Sequence, residues 1–244
     1  MAIKIGILKE TMNNETRVAL VPEIAKKLAA KGAEFQVEKS SGRLAGYNDS
    51  DYPEACVFKE SRKDVLTSCD ILLTVNPPND QDIKSLKENS IVIGFMSPFD
   101  NESLIKQMAK QKVVAFSVEL IPRISRAQSM DALSSQASIA GYKAVVLAAN
   151  HSNKFFPMLT TAAGTVRPSQ ILVIGAGVAG LQAIATAKRL GSRVLAFDVR
   201  SSTKEQIESL GATFLDTGVS AEGDGGYARE LTNEELKKQK DILA

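Results

Sequence analysis

The sequence predicts an α/β fold: two parallel-sheet domains joined by a long helix, the second of them truncated. Three observations carry that expectation. Short apolar runs alternate with amphipathic, charged segments over the first half of the chain, the pattern of strands covered by helices on both faces of a parallel sheet. A stretch of small and apolar residues, Ser134 to Asn150, then interrupts the alternation. The alternation resumes at Gln170, and a glycine-rich turn follows its first strand.

Taken in order, Ile3 to Leu8 is the first strand. Pro22 opens a helix through Lys31 and Gly32 stops it, the usual proline-start, glycine-end asymmetry. Glu34 to Val37 is the next strand. Asp70 to Val75 is another, ended by Pro77-Pro78. Asp80 starts a helix carrying Ile83 and Leu86. Ile91 to Phe95 is a strand, Asn101 to Lys112 a helix and Val113 to Leu120 a strand. Ser134 to Asn150 reads as the bridging helix, with Gly141 marking a close approach to another helix. A polar, proline-containing stretch follows from His151 to Pro168. Ile171 to Ile174 is then a strand, Val178 to Leu190 a helix and Arg193 to Asp198 a strand. Ser201 or Ser202 caps a helix through Leu210, Gly211 ends it, and Phe214 starts a short strand. The glycine-rich run Thr217 to Tyr227 reads as mobile, and Thr232 to Ala244 as helical.

Composition removes several classes of function. With 244 residues and 44% hydrophobic content the chain can bury a large core. Lys and Arg number 30 against 28 Asp and Glu, so there is no basic excess to hold nucleic acid. No apolar run reaches the ~20 residues of a membrane span, and Met1 to Leu8 reads as a strand rather than a leader. The expectation is a cytoplasmic chain. Cys56 and Cys69 lack metal-ligand spacing and read as reduced structural residues, with no metal site. The single histidine, His151, reads as a helix-end residue.

Gly175-Ala-Gly177-Val-Ala-Gly180 follows an aliphatic strand and opens a helix. Gly175 allows the tight turn, Gly177 lets backbone approach a diphosphate, and Gly180 lets the helix pack close to the strand. The helix start offers N–H groups and a positive dipole end. Asp198 closes the second strand, 18 residues beyond Gly180, near the ~20 of a dinucleotide fold. A carboxylate there accepts from both adenosine-ribose hydroxyls and repels a 2′-phosphate, which favours NAD over NADP. Arg200 points the other way, because an arginine in this loop can hold a 2′-phosphate. Both domains are therefore expected to be Rossmann-like. The boundaries expected are an N-terminal α/β domain over 1–133, a linking helix over 134–151 and an NAD-binding domain over 152–244. A complete dinucleotide fold has six strands and the second domain reaches three, so a truncated chain, or a missing completing segment, is expected.

The run from Pro122 to Gln136 is dense in hydrogen-bonding groups, and its place between two domains suits the lining of a cleft. Arg123 and Arg126 can donate to a carboxamide or phosphate, and Gln128 can donate and accept. Asp131 and Ser134 share a face if helical. On composition alone the run reads more readily as a polar loop with Asp131 or Ser134 as a helix cap.

Arg126-Ala-Gln-Ser-Met-Asp131, Ser134-Ser-Gln and Ala140-Gly-Tyr142 together resemble the NAD(H)-binding component, domain I of the alpha subunit, of proton-translocating NAD(P) transhydrogenases. Lys9-Glu10, Glu15-Thr-Arg17-Val-Ala-Leu20 and the unit around Gly175 to Arg200 resemble the same family, so the likeness spans essentially the whole chain. The N-terminal pattern is shared with the related alanine dehydrogenases. That relative carries lysines in the strand matching Leu73 to Asn76 and a histidine near Met96-Ser97. Here Thr74 and Asn76 stand instead, with no histidine, although Arg17 matches an arginine that holds the substrate carboxylate. An amino-acid dehydrogenase needs a group to accept and return the substrate proton, so the alanine-dehydrogenase reading is the weaker one. A third reading is an NAD(H)-sensing module without chemistry.

The resemblance implies that hydride passes from NADH held here to NADP⁺ on a partner subunit, coupled to proton translocation by a membrane component. It implies that Arg123, Asp131 and Ser134 hold the nicotinamide end and that Gln128 approaches the partner's nucleotide, making Gln128 and Asp131 the candidate catalytic residues. Tyr142 matches a tyrosine near the site. Cofactor binding falls to Gly175, Gly177, Val178, Ala179, Gly180, Asp198, Val199, Arg200 and Gly226, the last beside Tyr227 in a loop that closes over NAD(H). The partners implied are NADP(H)-binding and membrane-spanning subunits and a second copy of this chain. The location implied is peripheral to the inner membrane.

Overall fold

The computed structural model describes residues 3–221, 223 and 228–243. The chain divides into two compact units, 1–131 and 132–244. The first unit holds β1 (Lys4–Ile7), α1 (Pro22–Ala29), β2 (Glu34–Glu38), β3 (Cys56–Lys59), α2 (Arg62–Ser68), β4 (Ile71–Leu73), α3 (Asp80–Ser85), β5 (Ile91–Gly94), α4 (Glu102–Lys110) and β6 (Val114–Ser117). Its strands form one parallel sheet in the order β3-β2-β1-β4-β5-β6, the doubly wound order whose direction reverses between β1 and β4. Ile5 fixes the register there, paired with Phe35 on one side and Ile71 on the other.

Burial follows the strand pattern. One cluster packs Ala25 of α1 against Ile7, Phe35 and Val37. Another packs Val65 and Leu66 of α2, Ile83 of α3 and Met108 of α4 against Leu72 and Val92. Cys56 and Cys69 are free and buried, and burial pushes each thiol up to about 11, so neither is a ready nucleophile.

The stretch between Glu38 and Asp70 is more ordered than its local sequence pattern suggests, since it supplies β3 and α2. Arg62 explains their fixed placement. Its guanidinium is forked on the buried Asp82, with Nε and Nη2 each at 2.7 Å, and its Nη1 donates to the Lys9 carbonyl and to Glu38. Asp82 also completes a capping box with Asn79, whose side chain accepts from the Gln81 and Asp82 N–H groups at 2.9 Å. Asn79→Ala removes that cap and is expected to cost about 1 kcal/mol, read as a lower urea midpoint with an unchanged m-value.

The second unit holds α5 (Ala132–His151), β7 (Leu159–Thr161), β8 (Gly164–Val166), β9 (Gln170–Ile174), α6 (Val178–Arg189), β10 (Arg193–Phe197), α7 (Lys204–Ser209), β11 (Thr213–Phe214) and α8 (Asn233–Leu243). β11, β10 and β9 pair in parallel, in that order. The polar, proline-containing stretch after His151 contains an antiparallel hairpin, β7 with β8. Gly141 is buried in α5, and a Cβ there would lie 2.1 Å from the Ala179 carbonyl oxygen, so this glycine sets how closely α5 approaches α6. Val145, Ile184, Ala187, Val194, Ala196 and Ile207 form the core beneath. Among the described residues no helix is long and apolar enough to cross a membrane.

Candidate nucleotide site

The site in the second unit is built where β9 ends. The Gly175 N–H donates to the Phe197 carbonyl at 2.8 Å, the last link between β9 and β10. Gly175 then takes φ +92°, a conformation that disfavours any side chain, and the chain turns into α6. Gly177 stands at the N-cap without a side-chain cap. A Cβ at Gly177 would meet nothing within 4 Å, whereas one at Gly180 would lie 1.8 Å from the Gly175 carbonyl oxygen. The turn thus has two glycines that the fold itself demands, Gly175 by its φ and Gly180 by its close neighbour, and one, Gly177, whose bare backbone borders open space. That open space beside a helix start fits a diphosphate. Val178 and Ala179 form the first turn of α6, and the Ala179 carbonyl faces Gly141.

Asp198 follows β10 and is 7% exposed. Its carboxylate is fully engaged by the protein itself. Oδ2 accepts the Ala176 N–H at 2.7 Å and Arg200 Nη2 at 2.9 Å. Oδ1 accepts the Arg200 N–H and Nε, each at 2.9 Å. Burial raises the Asp198 carboxyl, but the Arg200 guanidinium and the two N–H groups outweigh it and hold it below the usual carboxylate range. As residue types alone, Asp198 and Arg200 are opposed signals for one sugar. Here they are an ion pair. Any ribose hydroxyl seeking Asp198 must displace the guanidinium.

Gly175, Gly177, Asp198, Val199 and Arg200 border one cavity of about 430 Å³. Four further residues border it, Ile174, Phe197, Ala228 and, from α8, Gln239, and none of them is among the site residues expected from the sequence. Gln239 sits in a Lys-Lys-Gln-Lys run that carries no local signal of a site. The Val199 carbonyl accepts the Ala221 N–H at 2.8 Å, which ties the segment after β11 to the end of β10.

The other expected site residues lie elsewhere in the chain. Ser125–Met130 forms a 3-10 turn with Ala127 buried, and Arg123, Arg126 and Gln128 are exposed. Asp131 has ψ 88° and precedes the helix, so it does not share a helical face with Ser134, which lies in the first turn of α5. Tyr142 is 53% exposed on α5. Gly226 and Tyr227 lie outside the described residues.

In the first unit the positions of interest are used internally. Arg17 donates through Nε and Nη2 to the two carboxylate oxygens of Glu15, at 2.8 and 2.6 Å. That hydrogen bonding lowers the Glu15 carboxyl to about 2. The Asn76 side-chain amide bridges Glu10 and Glu15, and Glu10 also accepts the Val75 and Asn76 N–H groups. An arginine already forked on a neighbour's carboxylate is not poised to receive a substrate's.

Comparison with known proteins agrees with both units. The model for the N-terminal domain of alanine dehydrogenase/PNT matches residues 6–140, and that for the C-terminal domain matches 144–243. An NAD(P) transhydrogenase alpha-subunit chain of Rickettsia prowazekii is 45% identical, over 99% of this chain and 65% of that protein. The solved structure of transhydrogenase from Sinorhizobium meliloti matches with a TM-score of 0.87 at 43% identity, over 98% of this chain and 65% of that one. The alanine dehydrogenase of Staphylococcus saprophyticus is 28% identical, over 84% of this chain and 56% of its own length. The chain therefore spans 65% of the length of the transhydrogenase relative.

Proposed function

The chain belongs to the alanine dehydrogenase/PNT family, and on that premise we propose that it is the NAD(H)-holding part of an NAD(P) transhydrogenase. The observation that carries the proposal is the turn from Gly175 to Gly180 beside the carboxylate of Asp198, 2.7 Å from the Ala176 N–H. The similarity to transhydrogenase alpha chains supports the choice within the family. The internal pairing of Arg17 with Glu15 counts against an amino-acid dehydrogenase.

In this reading Gly177 lets backbone approach the diphosphate, and the start of α6 faces it with N–H groups and the positive end of the helix dipole. Asp198 receives the adenosine-ribose hydroxyls once Arg200 yields, and the carboxylate selects NAD(H) by repelling a 2′-phosphate. Arg123, Asp131 and Ser134 hold the nicotinamide end, and Gln128 faces the partner's nucleotide. The bound dinucleotide supplies the hydride. The chain supplies orientation and exclusion of water, and direct hydride transfer asks it for no proton acceptor. A site without histidine or a reactive thiol suits that task. The remaining machinery, NADP(H) binding and a membrane span, belongs to partner subunits or to sequence beyond these 244 residues, and through it the chain sits peripherally at the inner membrane as a pair of copies.

The test is reconstitution. Mixing the protein with the NADP(H)-binding component of a transhydrogenase should start hydride exchange between NADH and an oxidised NADP analogue. An absence of exchange with a component that is active beside its own partner would remove the proposal. Turnover of alanine with NAD⁺ and no partner would replace it.

A further inference from the structure

β5 and β6 part after the pair Gly94–Ser117. The chain then leaves the sheet through a 3-10 turn, Val118–Leu120, and reaches Arg123 four residues after Glu119. Glu119 is the residue that reaches back. Its Oε1 accepts the N–H groups of Met96 at 2.9 Å and of Ser97 at 2.5 Å, 23 and 22 residues away. Burial raises the Glu119 carboxyl, but backbone N–H groups, its own and those of Ser97 and Met96, outweigh it and hold it below the usual carboxylate range. The group is a carboxylate at neutral pH, so both bonds are charge-assisted.

The turn that Glu119 grips has bonds of its own. The Ser97 carbonyl accepts the N–H groups of Asp100 and Asn101, each at 3.0 Å. The Asn101 side-chain amide donates to the Met96 carbonyl at 3.1 Å, and Met96 is fully buried. What the carboxylate adds is a link from this turn to the segment after β6. That segment carries backbone bonds of short range: Ile124 N–H to the Pro122 carbonyl, Ala127 N–H to the Ile124 carbonyl and Asp131 N–H to the Gln128 carbonyl, at 2.9, 2.9 and 3.2 Å. Such bonds shape the run without placing it on the sheet. Ala127 is buried and seats its far side, Glu119 ties its near side, and Arg123 stands midway, four residues from each. Four residues of chain reach at most about 14 Å, so the point at which Glu119 is held limits where Arg123 can stand.

We propose that Glu119 is a positioning residue for hydride transfer, its carboxylate, fixed on the Met96 and Ser97 N–H groups, setting the direction in which the chain leaves β6 and so the place of Arg123, Gln128 and Asp131. This rests on the reading above, in which those residues hold the nicotinamide end and face the partner's nucleotide. Misplacing a reacting group by ~1 Å can cost on the order of 100-fold in rate, whereas the grip on diphosphate and adenosine lies in the second unit. Loss of the anchor is therefore read in kcat and not in affinity.

The test uses the full chain with the NADP(H)-binding component of a transhydrogenase. It follows kcat for hydride exchange and calorimetric NADH affinity, both well below the thermal midpoint of each variant. Glu119→Ala is expected to lower kcat about tenfold or more while NADH affinity stays within about threefold of wild type. Glu119→Gln keeps an oxygen for both N–H groups and should hold kcat within about threefold of wild type. Glu119→Asp keeps the charge on a side chain one methylene shorter, and its kcat should fall as well; it carries the test if the alanine variant does not fold. A kcat within about twofold of wild type in Glu119→Ala, or in Glu119→Asp in its place, would overturn the proposal. So would a Glu119→Gln protein as slow as Glu119→Ala, or a fall in kcat that vanishes on cooling away from the midpoint. A wild-type chain that supports no exchange with a component active beside its own partner overturns the transhydrogenase reading itself. Wild-type exchange with normal exchange in Glu119→Ala overturns only the role of Glu119.

Discussion

Gly180→Ala should destabilise the second unit by about 3 kcal/mol or more and lower its Tm by on the order of 10 °C. A methyl at this position would stand 1.8 Å from the Gly175 carbonyl oxygen and 2.8 Å from its carbon. Both are backbone atoms of a turn fixed by the Gly175 N–H to Phe197 bond. The obstacle is therefore not a side chain that can rotate away, and α6 must move off β9. Gly177→Ala makes the informative contrast. Its methyl would meet nothing within 4 Å and its φ of −75° suits alanine, so Tm should hold. If a diphosphate lies against that backbone, NADH affinity should nonetheless fall by about tenfold or more. Calorimetry and thermal unfolding of the two variants thus separate the glycine required by the fold from the glycine required by the ligand. A Gly177→Ala protein that binds NADH normally would place the diphosphate elsewhere.

The same contrast marks the limit of local sequence patterns. They reveal the strands from Ile3 to Val113 and the turn at Gly175, because each rests on residues adjacent in the chain. β3 and α2 escape because their placement depends on Arg62 reaching Lys9, Glu38 and Asp82, partners up to 53 residues away. The hairpin after His151 escapes because β7 and β8 are three residues each and wholly exposed, so no buried face imposes an alternation. In the site, the glycine spacing and Asp198 are legible. The state of Asp198 is not, since the same residue types, Asp198 and Arg200, can oppose or pair, and only geometry distinguishes these. Gln239 is invisible for a related reason. A polar residue on a lysine-rich helix looks solvated until the fold turns that helix toward β10.

Asp198→Ala should weaken NADH binding by about 1–3 kcal/mol, roughly 5- to 150-fold in Kd, and narrow the gap to NADPH. The direction for NADH follows from the loss of charged hydrogen-bond acceptors at the adenosine sugar. The direction for NADPH follows because the repelling carboxylate is removed and the Arg200 guanidinium is released from its fork. Arg200 alone should behave differently. Its guanidinium competes with the sugar for both oxygens of Asp198. The pair is largely buried, 22% exposed at the arginine and 6% at the carboxylate, so removing the guanidinium frees acceptor positions on Asp198 for the sugar, and Arg200→Ala should bind NADH at least as tightly as wild type. The double variant should resemble Asp198→Ala towards NADH but show less of its gain towards NADPH, because the guanidinium is gone as well. The pH dependence adds an independent check. The folded Asp198 carboxyl lies below its usual range, so its contribution to stability is complete above the unfolded value near ~4 and is lost only as pH falls through the lower folded value. NADH affinity should accordingly show no Asp198 titration from about pH 8 down to about pH 5. An affinity that falls steadily with acidification across that window would mean the carboxylate is not the group that holds the sugar. Unchanged affinity of Asp198→Ala for both NADH and NADPH would carry the same meaning.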